Sequence, residues 1–131
     1  MSWWNYVVRH EKGDPLHTVI IHGDDVGVGS ASTYRHDVGE GEYIFEHACI
    51  EPDQTNSWPT LCTFQFIPLY TEVAQKTIWL GSGYAVDDNY PLIIVGPVAV
   101  TGPGYFLASM KSLTTNDAIE GSFSYRKVKS Q

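Results

Sequence analysis

The sequence is short of charge, of cysteine and of helical pattern. Only 18% of its residues are Asp, Glu, Lys or Arg, against about 25% in an average soluble domain. Lys and Arg together number 8. That is too few for a face that displaces counterions from nucleic acid, so wrapping bare nucleic acid is excluded. The one basic cluster, Arg126, Lys127 and Lys129, reads as a solvated tail. Two cysteines, Cys49 and Cys62, make neither a disulfide framework nor a zinc site. Two buried free thiols are expected, with a bridge across adjacent strands as the alternative. No apolar run nears the ~18 residues of a membrane span, so no membrane partner is expected. The start, Met1-Ser2-Trp3-Trp4-Asn5, lacks the basic and apolar stretches of a secretory signal. None of Asn5, Asn56, Asn89 and Asn116 opens an Asn-x-Ser/Thr acceptor. Helical periodicity is confined to residues 71–76, too short to nucleate alone.

What is present is a chain of 131 residues, 43% hydrophobic and 13% aromatic, with 12 Gly and 7 Pro. The length fits one domain over residues 1–131, and the hydrophobic content excludes disorder. The Gly and Pro residues punctuate short, strand-like runs. These cover residues 4–10, 16–22, 33–38, 42–50, 60–67, 76–80, 92–100, 105–113 and 118–128. Gly39-Glu40-Gly41, Gly81-Ser82-Gly83 and Gly102-Pro103-Gly104 read as turns, and Thr114-Thr115-Asn116-Asp117 as a hairpin turn. Residues 60–67 alternate, with Leu61, Thr63 and Gln65 against Cys62, Phe64 and Phe66. In the last run Ile119, Gly121, Phe123 and Tyr125 share one face, and Glu120, Ser122, Ser124 and Arg126 the other. Residues 92–100 are almost wholly apolar, which predicts a strand covered on both faces. Eight or nine strands at such spacing, with little or no helix, predict an all-β fold, a single jelly-roll-like β-sandwich.

The residues that carry chemistry elsewhere are badly spaced here. All five histidines, His10, His17, His22, His36 and His47, fall in the first 47 residues, near Asp24, Asp25, Asp37 and Glu46. On a strand, His17 and His22 point to opposite faces, as do the neighbours His36-Asp37 and Glu46-His47. They read as surface or strand-end residues, and no metal or cofactor is expected. Gly27-Val28-Gly29-Ser30-Ala31-Ser32 lacks the Lys and the helix of a phosphate loop. The pairs Asp24-Asp25 and Asp87-Asp88 sit in turn-like contexts. No catalytic residue is assigned.

The aromatics are the richer signal: four Trp, eight Tyr and five Phe. Trp3, Trp4 and Tyr6 read as an N-terminal docking arm over residues 1–6, and Trp58 as an interface residue. Trp58, Tyr70, Trp79 and Tyr84 are also candidates for a sugar-stacking platform. Low charge with many aromatics is the composition of interface cores, which predicts a homo-oligomer or a subunit of a larger assembly. The net charge of −7 lies in the first half, where residues 1–60 hold ten acids against Arg9, Lys12 and Arg35.

The segment from Gly102-Pro103-Gly104-Tyr105-Phe106-Leu107-Ala108-Ser109-Met110 to Glu120-Gly121-Ser122-Phe123-Ser124-Tyr125-Arg126-Lys127-Val128 resembles the closing hairpin of small β-sandwich accessory proteins of tailed-phage virions, the head decoration or cement proteins. The resemblance covers about a quarter of the chain and has no diagnostic motif. It implies a jelly-roll-like subunit, a trimer by preference, made in the host cytoplasm. In the virion it would bind the outside of the major capsid protein, or another virion protein, and reinforce contacts between capsomers. The expected function is therefore structural and non-enzymatic. The alternatives are a carbohydrate- or receptor-binding β-sandwich module and a small metal-dependent β-barrel enzyme.

Overall fold

In the computed structural model, residues 16–55, 58–69 and 76–128 are described. They form one antiparallel sheet of six strands and no helix: β1 (Leu16–His22), β2 (Ala31–Pro52), β3 (Thr60–Pro68), β4 (Ile78–Ala85), β5 (Leu92–Lys111) and β6 (Ile119–Lys127). Their order in the sheet is β1-β6-β2-β5-β3-β4. The all-β expectation holds, with six strands among the described residues in place of eight or nine.

Two of the expected boundaries are lost at glycines, where strands continue instead of ending. The expected turn at Gly39-Glu40-Gly41 is a bulge inside β2, with the register shifting between Val38 and Gly41. Gly41 takes φ +136°, a conformation other residues rarely adopt. Opposite it, Gly102-Pro103-Gly104 lies inside β5, and a side chain at Gly102 would strike the Gly39 carbonyl. The two long strands thus bend together at one corner instead of reversing. Gly81-Ser82-Gly83, also expected as a turn, is the middle of β4. The run at residues 4–10 lies outside the described residues.

The bend divides the sheet. Residues 43–52 of β2 pair with β6, which pairs with β1, while residues 92–101 of β5 lie along the other side of β2. Beyond the corner, residues 31–38 of β2 pair with residues 104–111 of β5, which in turn pair with β3 and then β4. In a flat sheet β3 and β6 would be three spacings, ~14 Å, apart. The rings of Phe64 in β3 and Phe123 in β6 nevertheless have centroids 5.0 Å apart. The sheet is folded over, and its inner faces meet. Phe45, Phe64, Phe66, Phe106 and Phe123 are fully buried between them with Ile50, Met110 and Ile119. Their tilted contacts add about 0.5–1.5 kcal/mol each beyond burial. Gly81 and Gly83 let β4 settle onto β5, because a Cβ there would meet Ile94 at 2.8 Å and Leu92 at 2.7 Å.

Two further expectations fail. Residues 92–101 are not covered on both faces: they pair with β2 alone, and Ile93 and Val95 are exposed. Nor do β5 and β6 form a hairpin, because β2 lies between them. The turn at Thr114–Asp117, with Asn116 at φ 60°, carries the chain from one half of the sheet to the other. Gly23, Val26 and Ser32 help hold it there. Gly23 N–H donates to the Ile119 carbonyl (2.8 Å) and Val26 N–H to that of Asp117 (2.9 Å). The Ser32 hydroxyl accepts from Ile119 N–H at 3.0 Å and donates to the Asp24 carbonyl at 2.9 Å. The segment quoted for the virion resemblance is therefore a crossing, not a closing hairpin.

Candidate functional site: an aromatic and polar face on the β3 half

Along β3, Cys62, Phe64 and Phe66 point into the core, so Leu61, Thr63 and Gln65 point out. Leu61 pairs with Tyr84, Thr63 with Ser82 and Gln65 with Trp79. Trp79 and Tyr84 are five residues apart, which on a regular strand gives opposite faces. Between them the register shifts: Phe64 faces Gly81, but Gln65 faces Trp79, so Leu80 is an extra residue. Leu80 packs on the core and Gly81 turns toward Ile94. Two successive residues point in, and the bulge brings both rings outward. Trp79 is 63% exposed and Tyr84 67%.

Between and beside the rings lies a neutral polar band. Thr63 faces Ser82 on one side and Ser109 of β5 on the other, and Ser109 faces Thr33 of β2. Gln65 lies between Trp79 and Leu107, and Leu107 faces Arg35. Arg35 is taken up: its guanidinium donates to Asp37 at 2.8 Å and lies 3.7 Å over the Tyr105 ring. That pairing raises the Arg35 pKa and lowers that of Asp37, each chiefly through their mutual hydrogen bond. Next to Tyr84 the face dips into an open depression of about 450 Å³, lined by Gly29, Ala31, Leu61, Thr63, Ser109, Met110 and Lys111. Such a face offers ring surface for stacking apolar patches and hydroxyl and amide groups for hydrogen bonds.

Of the residues singled out by sequence, Trp79 and Tyr84 share one outer face. Trp58 is 76% exposed, in the loop before β3, outside the paired rows that carry the other two rings. Trp3, Trp4, Tyr6 and Tyr70 lie outside the described residues. The sequence reading did not single out Ser82, Ser109, Thr33 and Arg35. Only the alternation in β3 marked Thr63 and Gln65 as outward.

The other candidate chemistries disperse. His17 stacks on Tyr125 (5.2 Å between centroids), and His22 meets Tyr34 at a tilt. His36 reaches the Tyr125 hydroxyl at 3.2 Å through Nε2. Burial lowers the His36 pKa, with His17 adding to the effect and Asp37 opposing it. Asp87 caps its own turn, accepting from the backbone N–H of Asn89 at 3.0 Å and of Tyr90 at 3.2 Å. Glu51 and Glu120 face each other across β2 and β6. Burial raises both pKa values, Glu120 and then Asp88 and Asp87 adding for Glu51, Asp53 and Asp88 for Glu120. Among the described residues no group of three or more His, Cys, Asp or Glu is arranged to hold a metal ion. Both cysteines are free, but only Cys62 is buried as expected; Cys49 is half-buried. Burial pushes the Cys62 thiol up to about 12, and raises that of Cys49, with acidic neighbours adding to both. Neither is a thiolate at neutral pH, which is the form that attacks.

No protein-family model matches this chain, and no curated protein does. Among solved structures, it is similar to the CBM22-1–GH10 modules of Clostridium thermocellum endo-1,4-β-D-xylanase 10B, crystallised with xylohexaose. The match has TM-score 0.49 and 9% identity, and covers 90% of this chain and 27% of that one. It is also similar to a ruminal GH26 endo-β-1,4-mannanase, with TM-score 0.31 and 12% identity, over 79% of this chain and 19% of that one. The protein thus spans 27% of one of these chains and 19% of the other.

Proposed function

We propose that this protein is a non-enzymatic carbohydrate-binding module, its folded sheet a jelly-roll-like β-sandwich, and that it holds a glycan on the outer face of β4, β3 and β5. One observation carries the reading: the bulge at Leu80 turns Trp79 and Tyr84 to the same exposed face. The two rings stand about 13 Å apart on that face, each offering flat apolar surface for stacking. The polar side chains between them suit an occupant rich in hydroxyls. The test is affinity electrophoresis through gels containing soluble arabinoxylan, galactomannan or mixed-linkage glucan. The protein is expected to be retarded by at least one, and Trp79→Ala and Tyr84→Ala to migrate freely. Unretarded protein in every gel, or variants retarded as strongly as the parent, would end the reading.

A second reading, a virion decoration subunit acting as a homo-oligomer on a capsid, draws on the opposite outer face. There Ile93 faces Cys49, Cys49 faces Ser122 and Ser122 faces Ile20, a row without charge from edge to edge. Ile20, Ile93 and Val95 are all more than half exposed. Light scattering after size exclusion is expected to give a trimer on this reading. A monomer at micromolar concentration removes it.

A further inference from the structure

The glycan face has a chemical selectivity written into its charges and a length requirement written into its spacing. Among the described residues of β2, β3, β4 and β5, the cations on this face are Arg35 and Lys111. Arg35 is neutralised by Asp37 at 2.8 Å and lies on Tyr105, so it has no free fork to offer a carboxylate or sulfate. Lys111, at the rim of the depression, is a single ammonium. The side chains between the rings, Thr63, Gln65 and Ser82, carry no charge. The whole chain carries −7, which repels a polyanion at low salt.

The spacing adds the second half. Trp79 and Tyr84 face Gln65 and Leu61, four residues apart on β3, so the rings stand ~13 Å apart along the strand. No single sugar ring reaches both. The depression beside Tyr84 is open, and its lining comes from β2, β3, β5 and the loop before β2. Among the described residues it has no closed end against which a chain terminus would lodge.

Resting on the carbohydrate reading, we infer that the ligand is a neutral polysaccharide, gripped along an internal stretch of its chain and not at an end. The contacts are then stacking and neutral hydrogen bonds, which salt does not screen.

Calorimetric titration with the full chain tests both parts. The probes are mannan- and xylan-derived oligosaccharides of increasing length, their reduced-end forms, and polygalacturonate and alginate as acidic chains. Affinity for the neutral series is expected to rise by about tenfold or more from disaccharide to a chain spanning both rings, and then to level off. End reduction is expected to leave it unchanged, and so is a rise in salt to ~1 M. Tighter binding of the acidic chains, or affinity that falls steeply with salt, overturns the neutral assignment. Equal affinity for disaccharide and long chain, or loss on end reduction, overturns internal binding. Binding of none of these probes removes the carbohydrate reading itself, and this inference with it.

Discussion

Trp79 and Tyr84 stand on one face of β4 because Leu80 and Gly81 occupy two successive inward positions. The outer and inner faces of this short strand therefore answer to different demands. Substitution on each side gives a different result.

On the outer face, Trp79→Ala and Tyr84→Ala remove rings that are mostly in water. Each is expected to change stability by no more than about 0.5 kcal/mol, the usual range for surface positions. Urea unfolding followed by circular dichroism measures it. A loss of several kcal/mol would mean that the rings are structural, and any loss of glycan retention in the same variants would then say nothing about binding.

On the inner face, Gly81→Val is expected to be costly. A Cβ at Gly81 would meet the Ile94 side chain at 2.8 Å, closer than ordinary contact. Overpacking of this kind costs about 1–3 kcal/mol. Pairing it with Ile94→Ala restores the room, so the double variant is expected to be more stable than the sum of the two single losses. Simple additivity in the same urea titrations would show that β4 does not settle on Ile94 as described.

How much of this was legible in the sequence follows from where parity is regular. The alternation in residues 119–126 matches the structure at Ile119, Phe123 and Tyr125, which are buried, and at Glu120 and Arg126, which are partly exposed. Ser124 departs from it, buried on the outward side beside the Thr18 hydroxyl at 3.1 Å. The three glycine clusters misled for one reason. Glycine permits a reversal, a bend or a close approach equally well, and only the partner strand decides among them. At Gly41 the partner is the equally bent β5; at Gly81 it is the side chain of Ile94. That Trp79 and Tyr84 share a face was hidden for the same reason. A period-two reading puts Trp79 and Tyr84 on opposite faces, and a bulge is invisible until the register with β3 is known.

Ser32 is where the second half of the chain is tied to the first. It is 1% exposed, and its hydroxyl accepts from Ile119 N–H and donates to the Asp24 carbonyl. Ser32→Ala leaves that buried N–H without its acceptor, which costs about 1–3 kcal/mol. Hydrogen exchange gives a sharper readout than global stability. The amide of Ile119 is expected to lose protection in the variant, while amides in the middle of β3 keep theirs. Unchanged protection at Ile119 would show that another group satisfies it.

Glu51 and Glu120 are directly opposite on β2 and β6, and both hold their protons to higher pH than an ordinary glutamate. The folded form therefore binds more protons than the unfolded chain through the carboxyl range. The stability this contributes is fully present below the unfolded glutamate pKa, ~4.3, and is lost as pH rises through the higher folded values. Like charges facing each other across strands cost about 0.2–1 kcal/mol, less where solvent screens them. Glu120→Gln is thus expected to stabilise the protein slightly at pH 7 and by less near pH 4, where the parent is itself becoming protonated. Urea midpoints for parent and variant at the two pH values decide it. An equal gain at both would place the effect in packing, and a loss at pH 7 would show that Glu120 has a favourable partner outweighing Glu51.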